Sequence, residues 1–253
     1  MTDLIASPET YARQVDRYLR ILQTRWLGMG PQTRILDLGC GRGEMVRELR
    51  RRGFLASGSD LDLAPEALAE GPFIATDPQS FRVEAADASF DVIISNQVLE
   101  HVMDLPKVLK EIRRLLRPGG VSLHSFPSRW CLVEPHVLVP LAGVLRARAY
   151  LRFWAQLGIR NGYQKGLPAH EVTRLNFEYL RDHTNYPTLP RLRHMVGEVF
   201  QDFSFLERPF LSAALQSPGF AGWKRGSLRL LLALRGESLY RVFWGRILWI
   251  QGW

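Results

Sequence analysis

At 253 residues, 46% hydrophobic and 23% charged, the chain has an ordinary globular balance and the length for one α/β domain with additions or two small ones. Cys40 and Cys131 are its two cysteines; without CxxC spacing they exclude a disulfide framework and argue against structural zinc, so no metal site and a reducing, cytoplasmic setting are expected. The formal charge of +8 sits in one half: residues 1–128 hold 16 Lys/Arg and 17 Asp/Glu, residues 129–253 hold 17 and 8.

Ser7 as a cap, Pro8 at the first helical position and apolar residues from Tyr11 to Trp26 at helical spacing predict a helix over 7–27. Asp3 and Glu9 stand where a targeting segment would be basic and then apolar, so none is expected. Arg34–Leu38 reads as a short buried strand, followed by a glycine turn and a helix over 43–52. Leu55–Ser59 is a second strand ending at Asp60, Pro65–Ala69 a short helix, Phe73–Thr76 a third strand and Phe90–Ser95 a fourth. Asp104–Leu116 is an amphipathic helix stopped at Pro118-Gly119-Gly120, read as a turn before a fifth strand over Val121–Phe126. Strands alternating with helices at this pitch predict βαβ units and a parallel sheet. Beyond Pro127, residues 133–163 read as a mostly helical insertion. Pro187–Val199 is expected to cover the sheet, Phe203–Glu207 to be a sixth strand and Ser227–Arg235 a helix. Arg246–Gln251 is expected as a last strand completing the sheet edge. No run of ~18 uncharged apolar residues exists, so no transmembrane helix is expected.

The sharpest motif is Ile35-Leu36-Asp37-Leu38-Gly39-Cys40-Gly41-Arg42-Gly43-Glu44. A glycine turn after a strand lets the backbone pass close under a ligand. The spacing is GxGxG and not the GxGxxG of dinucleotide sites, and an acid, Asp37, lies just upstream. Asp60, 21 residues after Gly39 and ending the second strand, is placed to accept from both hydroxyls of a ribose; alone it would read as a helix cap. Leu61 is placed to pack on a base.

Four segments, ILDLGCGRGE at 35–44, SGSDLD at 57–62, SFDVIISNQVLEHV at 89–102 and LKEIRRLLRPGGVSLHSFP at 109–127, together resemble the class I S-adenosylmethionine (SAM) dependent methyltransferases of the ubiquinone/menaquinone-biosynthesis type. The resemblance implies an α/β, Rossmann-like, doubly wound and mostly parallel seven-stranded sheet, here with a helical insertion after the fifth strand. It implies SAM as cofactor. Asp37, Gly39, Cys40, Gly41 and Gly43 would hold the methionine part, Asp60 and Leu61 the ribose and adenine. Asp77 would accept the adenine amino group, and Asn96 and Gln97 would line the methionine side and the reaction face. His101, in a Leu-Glu-His pattern recurrent across such proteins, reads as structural. The Asn-Pro-Pro-Tyr type sequence of amino-methylating nucleic-acid enzymes is replaced by Ser95-Asn96-Gln97-Val98, which argues against a base amino group as acceptor.

One domain over 1–253 is therefore expected: an N-terminal helix at 1–30, a SAM-binding core at 31–128, a helical insertion or acceptor lid at 129–186, and a return to the sheet at 187–253. A hydroxyl acceptor needs a base. Of His124, Glu134, His136, His170, Asp182 and His183, the favoured pair is His136 with Glu134, because Glu134-Pro135-His136 follows the fifth strand where open α/β sheets bind ligands; a helix start with surface polar groups is the plainer reading. That segment and the basic insertion more loosely resemble methyltransferases of bacterial cell-surface polysaccharide and lipid-linked glycan pathways. The expected function is methyl transfer to an oxygen of a small or lipid-linked acceptor, a glycan among the candidates. Carbon methylation of a quinone-type precursor, RNA methylation and SAM binding without turnover are the alternatives. The basic half suits an anionic or lipid-linked acceptor, weak peripheral association with the inner membrane surface or, with less support, a nucleic acid; it could equally serve solubility.

Overall fold

The computed structural model describes residues 8–63, 71–216 and 222–252. The expected Ser7 cap and Pro65–Ala69 helix lie outside them. Helix α1, Pro8–Arg25, buries one stripe: Val15, Tyr18, Leu19, Ile21 and Leu22. Strand β1 (Arg34–Leu38), helix α2 (Glu44–Arg51), and strands β2 (Leu55–Asp60), β3 (Phe73–Ala75) and β4 (Phe90–Asn96) follow. Helix α3 (Leu105–Leu115), capped by the Asp104 side chain on the Lys107 amide, leads into β5 (Leu116–Pro127). After β5 come α4 (Arg148–Gln156), α5 (Ala169–Asp182), α6 (Leu189–Gly197), β6 (Asp202–Phe205), α7 (Glu207–Leu215), α8 (Gly222–Ala233), α9 (Glu237–Phe243) and β7 (Gly245–Gln251).

The seven strands form one sheet in the order β3-β2-β1-β4-β5-β7-β6. The first five are parallel; β7 runs antiparallel to both β5 and β6. β4 is buried from Phe90 to Ser95, as a strand covered by helices on both faces must be. One core layer packs α3 and α6 on the sheet through Val108, Leu109, Ile112, Leu192 and Val196. The other packs α1, α2 and α7 through Val15, Leu22, Val46, Leu49 and Phe210.

Three expectations are corrected. β7 is an interior strand and not the edge: Ile247, Leu248, Trp249 and Ile250 are all buried, which suits a place between two strands, while half-buried β6 takes the edge. Pro118–Gly120 is not a turn ahead of the strand. β5 already pairs at Leu116 with Phe90, then the register shifts before Val121 pairs with Val92, and Gly119 supplies a φ of +72° for the irregularity. The stretch after β5 is helical only from Arg148. Residues 133–147 run through turns with a Val133–Pro140 bridge; Pro135 and Pro140 offer no amide to a helix, and Leu138 and Leu141 have φ of +60° and +50°. Val137, Val139, Ala142, Leu151 and Leu180 close a separate small core there.

Candidate functional site

The sheet ends β1, β2 and β4 converge on the glycine turn. The amides of Gly39 and Cys40 donate to the Ser59 carbonyl at 2.7 and 3.0 Å, strapping the turn to the end of β2. Gly39 has φ +74°, and a Cβ there would lie 2.4 Å from Val98 Cγ2, so only glycine fits. Gly41 has φ +53° and faces open space. Its amide donates to Asp60 Oδ2 at 2.8 Å. Gly43, φ +77°, caps α2 against the Phe73 ring.

Two cavities flank this turn and share Gly39 and Gln97. One, of about 300 Å³, is lined by Ser59, Asp60, Leu61, Thr76, Phe81 and His101 among others. The Ser59 and Thr76 hydroxyls there are buried without a hydrogen-bond partner among the described residues. The second, of about 340 Å³, is lined by Tyr11, Asp37, Cys40, Gly41, Glu44 and Asn96 with their neighbours. Burial, with Asp60 and Glu44 as like-charged neighbours, pushes the Asp37 carboxyl up to about 8. Burial likewise pushes the Cys40 thiol far up. The rim between the cavities is fixed by backbone: Gln97 sits at φ +56°, its amide bonded to the Ser125 carbonyl at 2.8 Å, a left-handed conformation that the surroundings must enforce. Tyr18 of α1 donates to the Ser95 carbonyl at 3.0 Å, tying the N-terminal helix to the end of β4.

Of the residues expected to hold the cofactor, Asp37, Gly39, Cys40, Gly41, Asn96 and Gln97 meet around one cavity, and Asp60 and Leu61 around the other. Two do not join them. Gly43 packs under Phe73. Asp77 turns away: its carboxylate accepts from the Ser80 amide at 2.6 Å, and this bond with the Ser80 hydroxyl holds it below its usual value. Asp77-Pro78-Gln79-Ser80 is an Asx-type turn signature, the signal by which the sequence could have shown it. Tyr11, Glu44, Phe81 and His101 line the cavities without having been expected there.

Beyond the Gln97 rim lies a cluster drawn from three segments. Glu134, buried, accepts from the amides of His136 and Val137 at 2.8 and 2.7 Å, from His136 Nδ1–H at 2.7 Å and from the Tyr186 hydroxyl at 2.6 Å. Burial alone would raise its carboxyl; His136, Tyr186 and the Val137 amide together hold it lower. The same burial beside the Glu134 charge pushes the Tyr186 hydroxyl far up. The His136 ring lies edge-on to His101, 4.7 Å between centroids, and 5.5 Å from Tyr179. His101 Nδ1 sits 2.7 Å from the His183 carbonyl, which satisfies that nitrogen as expected of a structural histidine. Yet His101 also lines the 300 Å³ cavity, so it joins the two sites. Glu100 is fully buried beneath the pair, and burial pushes its carboxyl up to about 8.

The other candidate bases stand apart. His124 is buried inside β5 between Ser95 Oγ and Ser122 Oγ, at 2.7 and 3.0 Å. His170 is exposed at the start of α5, and exposed Asp182 pairs with Arg181. His183 gives the cluster its carbonyl, its ring lying against Tyr179.

Residues 9–198 match the family model of a methyltransferase domain. The chain is 38% identical over 118 residues to the malonyl-[acyl-carrier protein] O-methyltransferase of Serratia marcescens, covering 44% of this chain and 46% of that protein. It is 41% identical over 106 residues to the ubiquinone biosynthesis O-methyltransferase of Nitrosococcus oceani, covering 38% and 44%. The chain thus spans about half the length of the curated relatives it matches. A solved SAM-dependent methyltransferase from Archaeoglobus fulgidus superposes with a TM-score of 0.52 at 14% identity, over 97% of this chain and 95% of that one, a likeness of fold.

Proposed function

The chain belongs to the methyltransferase domain family, and from that membership we propose that it transfers a methyl group from SAM to an oxygen of a small or lipid-linked acceptor. The two cavities suit that cofactor chemically. Asp37 and Glu44 line a space, with the Asp60 charge acting on Asp37 from beside it, that would take a cation such as the methionine ammonium or the sulfonium. The unpartnered Ser59 and Thr76 hydroxyls, with Asp60 and Leu61, offer donors, acceptors and an apolar wall to a ribose and base. When bound, SAM supplies an electrophilic methyl group; the protein must align the acceptor, exclude water and take a proton.

The observation that carries the oxygen reading is the Glu134–His136 pair standing against His101 at the cavity wall. Glu134 fixes the His136 tautomer with the proton on Nδ1, which leaves Nε2 as the lone-pair nitrogen able to receive the acceptor's hydroxyl proton. Tyr186 shares the Glu134 oxygen and holds the carboxylate in place. The acceptor class is read from the neighbourhood: Leu132, Val133 and Leu138, all substantially exposed, bracket the pair, as an apolar chain attached to a polar head would require.

The test is label transfer from methyl-labelled SAM into an extract split into aqueous and organic-soluble fractions. Label should appear in the organic fraction as an O-methyl group. His136→Gln should slow transfer by ~100-fold or more while S-adenosylhomocysteine still binds. Label found on carbon or nitrogen, or a rate unaffected by His136→Gln, would discard the reading.

A further inference from the structure

The geometry points to a divalent-cation site at Glu100, His101 and His136. One ligand atom from each lies within 4.8 Å of the others. Both Glu100 oxygens are buried without a hydrogen-bond partner among the described residues; their nearest recorded neighbour is His101 Nε2, 3.9 Å from Oε1. A buried carboxyl normally finds donors, and this one has two bare oxygens facing an imidazole.

The histidines are dressed as ligands. His101 directs Nδ1 to the His183 carbonyl at 2.7 Å, and His136 directs Nδ1 to Glu134 Oε1 at 2.7 Å. Each therefore carries its proton on Nδ1 and keeps a lone pair on Nε2. A carboxylate or carbonyl behind the far nitrogen is the usual support of a metal-bound imidazole, and here both histidines have it. Two imidazoles and a carboxylate are a donor set that suits zinc among first-row divalent ions and leaves a fourth position open. Ligands near 2.0–2.1 Å around a tetrahedral ion stand about 3.4 Å apart, so the side chains would close in by roughly 1 Å. Glu100 and His101 are neighbours just after β4, and His136 arrives from the turn after β5, so the site forms only in the folded chain.

The inference rests on the reading above in placing the acceptor here, and it changes one role. With the ion bound, His136 is a ligand, and the ion lowers the pKa of an acceptor hydroxyl in its open position. His101, at the cavity wall, brings that position next to the cofactor site.

The test needs no turnover. The chain is stripped with a chelator and titrated with Zn²⁺ by calorimetry, then with Co²⁺ by visible absorption, in a Cys131→Ser background to remove the partly exposed thiol. One ion per chain is expected, with tetrahedral Co²⁺ bands, no thiolate charge-transfer band and a raised melting temperature. Glu100→Gln and His136→Gln should each weaken binding at least tenfold. Should Glu100→Gln fail to fold, His136→Gln, at a partly exposed position, carries the test alone. No binding at millimolar Zn²⁺, a thiolate band, or unchanged affinity in His136→Gln overturns the site. Such a protein that still transferred methyl groups would keep the oxygen reading, whereas one that bound Zn²⁺ without transferring them would keep the site alone.

Discussion

Asp37 is the residue whose charge has most to gain from a cationic ligand. Burial and the Asp60 and Glu44 charges push its carboxyl up to about 8, so a ligand that needs it ionised must expel a proton below that pH. S-adenosylhomocysteine affinity should therefore rise by up to about tenfold per unit between roughly pH 6 and 8 and then level off. Calorimetry across that range checks it; Asp37→Asn should flatten the rise, and a flat wild-type profile would move the ammonium elsewhere. His124 makes the opposite kind of statement, about stability. Burial lowers it to about 3, so the folded chain keeps it neutral while the unfolded chain takes up a proton below about 6.5. At this group the unfolded state then binds more protons, so the His124 contribution to stability falls as pH drops from about 6.5 towards 3, with a slope near 1.4 kcal/mol per unit. Asp37 and Glu100, both raised to about 8, contribute with the opposite sign over the same range, so the His124 contribution is the difference between wild type and His124→Gln: denaturant melts at pH 4, 5 and 6 should show the variant gaining stability relative to wild type as pH falls.

Residue identity was legible where the backbone alone decides the chemistry. Gly39, Gly41 and Asp60 announce themselves because a positive φ and a strand-ending acid depend on near neighbours in sequence. At Asp77 a local bond from Ser80 to its carboxylate competes with the adenine role expected of it. The Glu100–His101–His136 cluster was only half visible. Glu134-Pro135-His136 stood out after the fifth strand, but its meeting with residues 100 and 101 and with the 183–186 segment depends on how three separate pieces pack, and no periodicity encodes that.

At the scale of elements, the strand-and-helix order was legible because apolar runs such as Val92–Ile94 and stripes such as that of α3 have clean periods. The place of β7 was not, since burial on both faces tells that a strand is interior without telling which neighbours it has. Its position is held by one charge. Glu207, wholly buried at the start of α7, accepts from Arg241 of α9 at 2.7 Å and from the Ile247 amide of β7 at 3.1 Å. One carboxylate thus pins three elements. Arg241→Leu should cost about 3–5 kcal/mol by leaving that carboxylate buried and unpaired. Glu207→Gln in the same chain should recover part of the loss, because the uncompensated charge goes and the amide oxygen can still serve Ile247. Urea unfolding of the two single variants and the double variant checks the pair; strictly additive losses would mean that the ion pair contributes nothing.

For the whole molecule, the excess of Arg and Lys in residues 129–253 gathers with exposed apolar side chains. Trp130, Leu132 and Val133 stand exposed beside Trp244, whose carbonyl binds the Ser128 amide, and α4 exposes Phe153 with Arg148 and Arg152, Leu157 following at its end. No helix among the described residues is long and apolar enough to cross a membrane. The expected behaviour is weak adhesion to vesicles rich in anionic lipid, reversed as salt shortens the Debye length from about 10 Å to about 3 Å. Flotation with Trp130→Ser/Trp244→Ser as the control checks it. No flotation at low salt would leave the arginines to solubility, and flotation that withstands high salt and alkaline carbonate would mean insertion.

The interior place of β7 also sets a timetable. The ribosome delivers β1 to β5 first, with the glycine turn and every acid around it, yet the outer side of β5 has no partner until residues 245–251 emerge. Until then the nascent chain carries an open strand, a hazard for pairing with other chains. β6, made earlier, cannot dock either, because it reaches the sheet only through β7. The cofactor half is thus complete in sequence long before it is complete in structure, and β7, made after β6, is the strand that locks the sheet.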